Sequence, residues 1–105
     1  MASDGEWSTV MVVGLLRVEL HAPHAQSLKE KRSVVKRLRE QIRSHFNVAV
    51  AEVEANDTWQ RATIGISAVG DERPYVQEVL RHVIEWLRRD GLADLIRIEE
   101  TYVRP

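Results

Sequence analysis

The stretch 27–46 constrains the fold most strongly, because it combines a helix start signal with a helical pattern of apolar residues. Ser27 followed by Glu30 is an S-x-x-E capping box, in which the serine oxygen accepts from a free backbone N–H and the glutamate reaches back to the serine N–H. At about 100° per residue, one arc collects the apolar stripe that a helix buries against a core. The stripe consists of Leu28, Val34, Val35, Leu38, Ile42 and Phe46. We therefore predict an amphipathic helix that begins at this cap.

A second narrow stripe on the same predicted helix is basic and contains no acidic residue. It consists of Lys29, Arg32, Lys36, Arg39 and Arg43. The stretch 27–46 carries a formal charge of +5 and the rest of the chain −6, so the net charge of −1 hides a strongly polarised molecule. Like charges at this spacing repel each other, and a polyanion such as a nucleic acid relieves the repulsion. The stripe is interpreted either as a nucleic-acid-binding surface or as a solvated helix face screened by salt.

Lys31 falls inside the apolar arc, one turn from the predicted helix start. The favoured interpretation is that its stem is buried while its ammonium group reaches water. The alternative is an anion site at the helix N-terminus, where free N–H groups would act together with Ser27, Lys29, Lys31 and Arg32 to hold a phosphate.

Length and composition indicate an ordinary globular protein. The 105 residues predict a single domain over residues 10–105, preceded by a flexible extension over residues 1–9. No apolar run approaches the length of a membrane span, and the polar N-terminus does not resemble a secretory signal, so we expect a cytoplasmic protein without membrane association. The chain has no cysteine. His21 and His24 lack a nearby third ligand, and we expect neither a metal nor another cofactor.

The remaining patterns predict four strands and a second helix. Alternating apolar residues predict strands near 10–20, 48–54, 59–68 and 95–103, with a turn at Asn56 and Asp57. Asp71 is a candidate N-cap for the second helix, whose apolar side includes Tyr75 and Val76, and Gly91 is its predicted end. The order β-α-β-β-α-β is that of the ferredoxin-like α+β sandwich, with four antiparallel strands and two helices on one face.

The uncovered face of such a sheet is predicted to be half charged and half apolar. Because an apolar patch on an open sheet is typical of subunit pairing, we predict a homodimer or protein interface there. The predicted interface residues are Val13, Leu15, Val48, Val50 and Trp59, with Leu95 on the same face and Ile96 on the inner face. An ordinary exposed sheet remains the alternative.

Three segments carry a resemblance to a known family. In order and spacing, SLKEKRSVVKRL, NVAVAEV and DTWQRATIGISAV resemble the YlxP-like proteins, short bacterial proteins of a domain-of-unknown-function family, family 503. The resemblance covers residues 11 to about 98. It implies a ferredoxin-like fold and a gene neighbourhood among factors for transcription, translation initiation and ribosome maturation. It implies no catalytic residues.

We therefore expect a non-enzymatic protein that binds ribosomal or other structured RNA through the basic stripe. Sheet-face RNA recognition is disfavoured because the central strands lack paired aromatic residues. One alternative is a dimeric adaptor that meets a protein partner through the open sheet, with Trp7 and Trp59 as candidate anchors. Another is an acylphosphatase-like enzyme, whose strand and helix order this chain shares, although its first strand-to-helix junction lacks a glycine-rich phosphate cradle. Glu52, Glu54 and Glu19 would be the carboxylates available for acid–base work.

Overall fold

The elements of the computed structural model, which describes residues 11–54 and 58–105, follow one another in the predicted order. They are β1 (Val12–His21), α1 (Leu28–His45), β2 (Ala49–Glu52), β3 (Arg61–Gly70), α2 (Arg73–Asp90) and β4 (Asp94–Val103). The predicted extension 1–9, with Trp7, and the predicted turn at Asn56 and Asp57 lie outside the described residues.

The four strands form one antiparallel sheet with the order β2-β3-β1-β4. The central strand β1 pairs with β3 along its whole length, from Val12 opposite Gly70 to His21 opposite Arg61. Both helices cover one face of the sheet, α1 over β2 and β3, and α2 over β1, β3 and β4. The β-α-β-β-α-β order and this topology confirm the predicted ferredoxin-like α+β fold.

The core lies between the helices and the inner face of the sheet. Strand alternation places every second residue of β1 and β3 inward, as the sequence pattern predicts. The fully buried large side chains are Leu16, Val18, Leu38, Ile42, Ile64, Ile66, Val76, Leu80 and Val83. Gly14 lies where α2 packs closely on β1, because a Cβ there would be 2.6 Å from Val76 Cγ1 and 2.7 Å from Leu80 Cδ1.

The ends of α2 differ in how well the sequence predicts them. The N-cap is Glu72, which makes no side-chain capping bond, so the prediction of Asp71 is wrong by one residue. Pro74 lies in the first turn, where a backbone N–H would have no intrahelical partner, so the missing N–H of proline is compatible with this start. Tyr75, predicted on the apolar side, is 52% exposed. Gly91 ends the helix with a φ angle of 79°, which is in the left-handed region that glycine adopts without strain.

The faces of β2 are the reverse of the prediction. Val48 and Val50 pack against the core, and Val50 lies opposite the buried Ile66. Ala49 and Ala51 face the open side instead, opposite Ser67 and Gly65. The assignment of Val48 and Val50 to an interface on the open face is therefore wrong. Both alternating sets of this strand are apolar, so the sequence period alone does not determine which set faces the helices.

A bulge in β4 reverses another predicted orientation. The register between β1 and β4 shifts where Glu19 lies opposite Arg97 but Leu20 lies opposite Leu95. Ile96 is the extra residue and is exposed, while Leu95 packs against the core beside the inward-facing Leu20. The predicted orientations of Leu95 and Ile96 are both wrong, because the bulge interrupts the alternation that the prediction assumed.

Within the described residues, neither helix is both long and apolar enough to cross a bilayer.

Candidate nucleic-acid interface

The start of α1 is fixed by a side-chain cap. The backbone N–H of Glu30 donates to Ser27 Oγ over 3.1 Å, which confirms the predicted N-cap. The Glu30 carboxylate accepts from the backbone N–H of Gln26 over 2.7 Å rather than from that of Ser27, so the box closes one residue earlier than predicted. The carboxylate of Glu30 therefore already lies at the positive dipole end of α1.

The orientation of α1 determines where the basic stripe lies. Val35, Leu38 and Ile42 are buried against the sheet. His45 contacts Trp86 of α2, with 5.5 Å between the ring centroids. At 3.6 residues per turn, the centre of the basic stripe is about 160° around the helix from His45. The stripe therefore occupies the flank of α1 that is turned away from α2, above the edge formed by β2.

The five residues of this stripe are henceforth called the basic flank: Lys29, Arg32, Lys36, Arg39 and Arg43. Four are exposed and Arg39 is half-buried. Among the described residues, no acidic side chain forms an ion pair with any of them. Nε of Arg39 is buried and has no hydrogen-bond partner there. The structure thus keeps the five predicted cations together on one accessible flank.

Lys31 takes neither of the two roles predicted for it. Its side chain is only 4% exposed, and Nζ donates to the backbone carbonyl of Thr58 over 3.2 Å. The ammonium group therefore does not snorkel to water but connects the first turn of α1 to the turn before β3. The sequence signal is a lysine inside an apolar helical stripe, but this pattern is equally compatible with a snorkelling side chain and does not identify the contact with Thr58.

The predicted anion site is not assembled. Ser27 and Lys29 line a shallow surface pocket of about 530 Å³ beside the start of α1, together with Glu30. Lys31 does not line it because its side chain is buried, and Arg32 is exposed on α1 outside the pocket lining. Ser27 Oγ already accepts from the backbone of Glu30.

A second charged group occupies the open face of the sheet around Arg17. The guanidinium donates to Glu54, to Glu19 Oε1 over 3.3 Å and to Glu99 Oε1 over 3.2 Å. The hydrogen bond to Glu54 is the main cause that raises the pKa of Arg17 above its ordinary value. Glu52, which lies opposite the inward-facing Ile64, is on the other face. The three predicted carboxylates are therefore not brought together, and two of them neutralise an arginine. The sequence pattern predicts charged residues on this face but does not indicate that Arg17 contacts three glutamates.

The remaining predicted interface residues lie in two places. Val13 and Leu15 are on the open face, where Val13 forms a row with Val69 and Val103 of the neighbouring strands. Trp59 is in the turn before β3 and is 49% exposed. Among the described residues, no group of three His, Asp or Glu side chains is arranged to hold a metal ion.

Comparisons with known proteins agree with the fold and identify the family. The designed protein Foldit4 covers 90% of this chain and 98% of its own length with a TM-score of 0.55 and 14% identity. The structural-genomics protein YJCS covers 87% and 98%, with a TM-score of 0.52 and 13% identity. At such identities these likenesses show the fold alone.

The sequence comparisons, unlike the structural ones, identify the family. The uncharacterized protein YlxP of Bacillus subtilis (strain 168) is 37% identical over 76 residues, which are 72% of this chain and 83% of that protein. The family model described as Protein of unknown function (DUF503) matches residues 13–100. The chain therefore belongs to this DUF503 family of YlxP-like proteins.

Proposed function

We propose that the protein binds structured RNA through the basic flank of α1. The observation that carries the proposal is the accessible, unpaired state of the five cations within the described part of the chain. Two arginines outside the basic flank are ion-paired instead, since Arg81 pairs with Glu85 over 2.6 Å and Arg17 is surrounded by glutamates. Cations without acidic partners are available to displace counterions from a phosphate backbone.

The length of the basic flank suits a helical nucleic acid. Lys29 and Arg43 are 14 positions apart on one helix, which is about 21 Å at 1.5 Å per residue. A row of this length meets several phosphates along one groove, and recognition would follow shape and charge rather than base sequence.

The open sheet is a poorer surface for RNA. Sheet-face recognition in this fold uses aromatic side chains of the central strands to stack bases. The open-face positions of β1 and β3 carry no Phe, Tyr or Trp and only one imidazole, at the end of β1, since they are Val13, Leu15, Arg17, Glu19, His21, Arg61, Thr63, Gly65, Ser67 and Val69. Glu19 and Glu99 also place negative charge beside the positions that phosphates would take. These features favour RNA binding on the helix side of the molecule over binding on the open sheet.

The test is a salt titration of binding to a structured ribosomal RNA fragment. It compares the intact protein with a variant in which Arg32, Lys36, Arg39 and Arg43 are changed to Gln. Each phosphate contact contributes about 0.7 to 0.9 to the slope of log affinity against log salt. We therefore expect the quadruple variant to lose a slope of about 3, together with most of its affinity.

A matched control removes four positive charges outside α1, at Arg88, Arg89, Arg97 and Arg104, all of which are exposed. If binding follows net charge alone, the control and the test variant weaken equally, and the assignment to α1 is wrong. Absence of salt-dependent binding by the intact protein would refute RNA binding itself.

A row of three valines, two exposed and one partly buried, favours a second candidate function, a homodimer formed through the open face. Val69 is 60% exposed and lies with Val13 and Val103 across three strands, with Leu15 in the next row. This patch carries no charge, so a twofold-related copy of the same patch is a chemically matched partner. Sedimentation equilibrium of the intact protein and of a Val69→Asp variant tests it, since only the intact protein should form a dimer.

A further inference from the structure

Trp59 is an exposed aromatic residue whose backbone is held on both sides. The carbonyl of Thr58 accepts from Lys31 Nζ over 3.2 Å and from the backbone N–H of Arg61 over 3.3 Å. The carbonyl of Gln60 accepts from the backbone N–H of Ala22 over 2.8 Å. These hydrogen bonds hold the backbone before and after a large indole that is half exposed.

The contact from Lys31 connects this turn to the first turn of α1. Removing an ammonium group from water costs several kcal/mol unless polar partners compensate for it. At 4% exposure, Lys31 keeps its ammonium group buried between α1 and the turn, where the carbonyl of Thr58 is one of its polar partners.

The same contact places Trp59 at the N-terminal end of the basic flank. Thr58 precedes Trp59 in the chain, and Lys31 precedes Arg32, the second residue of the flank. Lys31 points inward to the turn, while Lys29 and Arg32 are exposed on the same helical turn. An aromatic platform and the first cations of the basic flank thus lie at one end of the molecule.

We infer that Trp59 stacks on an unpaired base of the RNA whose phosphates contact the basic flank. This inference rests on the proposed RNA binding and specifies its ligand as a helical stem that adjoins an unpaired nucleotide, as in a loop or bulge. Aromatic side chains stack on unpaired bases of any sequence, because every base presents a π-face. Cations along the helix would bind the stem while Trp59 selects RNAs with a base available next to it.

The experiment uses two RNAs with the same stem, a hairpin with an unpaired loop and a blunt duplex without unpaired nucleotides. Binding is measured for the intact protein, for Trp59→Leu, which keeps an apolar side chain without an aromatic face, and for Trp59→Phe, which keeps a smaller ring. Tyr75→Leu is the matched control, because Tyr75 is also an exposed aromatic residue but lies in the first turn of α2.

We expect Trp59→Leu to weaken hairpin binding about 5- to 150-fold, the range observed for loss of one stacked base. Its salt slope should stay unchanged, because no phosphate contact is lost. Trp59→Phe should retain most of the affinity. Binding to the blunt duplex, and binding of Tyr75→Leu to either RNA, should equal that of the intact protein.

Equal hairpin affinity for Trp59→Leu and the intact protein would overturn the stacking inference, and so would an equal loss on both RNAs. Either result leaves the basic flank intact if the quadruple glutamine variant still loses salt-dependent binding. If the intact protein binds neither RNA, the proposed function fails first. Urea unfolding of Trp59→Leu and Trp59→Phe, compared with the intact protein, separates loss of stacking from loss of the fold.

Discussion

The basic flank should cost the protein stability, and its removal should therefore not destabilise the fold. The flank contains four neighbouring like-charge pairs at i,i+3 or i,i+4 spacing, Lys29–Arg32, Arg32–Lys36, Lys36–Arg39 and Arg39–Arg43. Each pair repels by about 0.2 to 0.5 kcal/mol in a helix, which sums to about 1 to 2 kcal/mol. The variant with Gln at positions 32, 36, 39 and 43 removes all four pairs.

Two effects oppose this gain. Arg43 lies in the last turn of α1, where a cation stabilises the helix dipole by about 0.3 to 1 kcal/mol. Lys36 and Arg43 also lose their favourable i,i+4 and i,i+3 spacings to Glu40, which contribute a few tenths of a kcal/mol each. The net expectation is an unfolding free energy equal to that of the intact protein or up to about 1 kcal/mol higher.

Urea unfolding at low and high salt measures this balance. The advantage of the variant should shrink as salt rises, because screening weakens the repulsion between exposed charges. The control with Gln at positions 88, 89, 97 and 104 should show no gain, since Arg88 and Arg89 lie favourably in the last turn of α2. A loss of more than about 1 kcal/mol in the basic-flank variant would mean that the stripe stabilises the fold and would refute the reasoning.

Three further changes test the packing, the cap and a shifted titration. Gly14→Ala should lower stability by about 1 to 3 kcal/mol in urea unfolding, because the new methyl group meets side chains of α2 at less than van der Waals distance; a neutral effect would show that α2 can move away. Ser27→Ala should cost about 0.5 to 2 kcal/mol and Ser27→Asp much less, since only Asp restores the cap, and equal losses would contradict this role. In a Tyr75→Phe background Tyr102 is the only tyrosine, and tyrosinate absorbance should show a pKa above the ordinary 10.0, because burial disfavours the charged form. The unfolded chain then ionises first, so stability falls as pH rises above 10.0, and this fall should be smaller in Tyr102→Phe.

The helix with the candidate site was largely predictable because its signals are local. Ser27 and Glu30 specify the start of α1, and the 3.6-residue period separates the buried arc from the basic flank without reference to the rest of the chain. The order of elements followed from the strand and helix periods in the same way. These signals act between residues that are close in sequence.

The errors occur where the structure depends on partners distant in sequence. Which face of β2 turns inward is decided by its register with β3, because Val50 and Ala51 are both compatible with burial. The role of Lys31 depends on the carbonyl of Thr58, 27 positions away. Neither contact leaves a periodic pattern, and the bulge at Ile96 removes the pattern that was assumed.

The bulge at Ile96 also bears on solubility. β4 is an outer strand of ten residues, and a regular outer strand offers unpaired backbone groups to which strands of other molecules can add. The register shift interrupts that template, and the exposed charges of Arg97, Glu99 and Glu100 follow directly after it. An irregularity that obscures the strand in the sequence thus protects the sheet edge from aggregation.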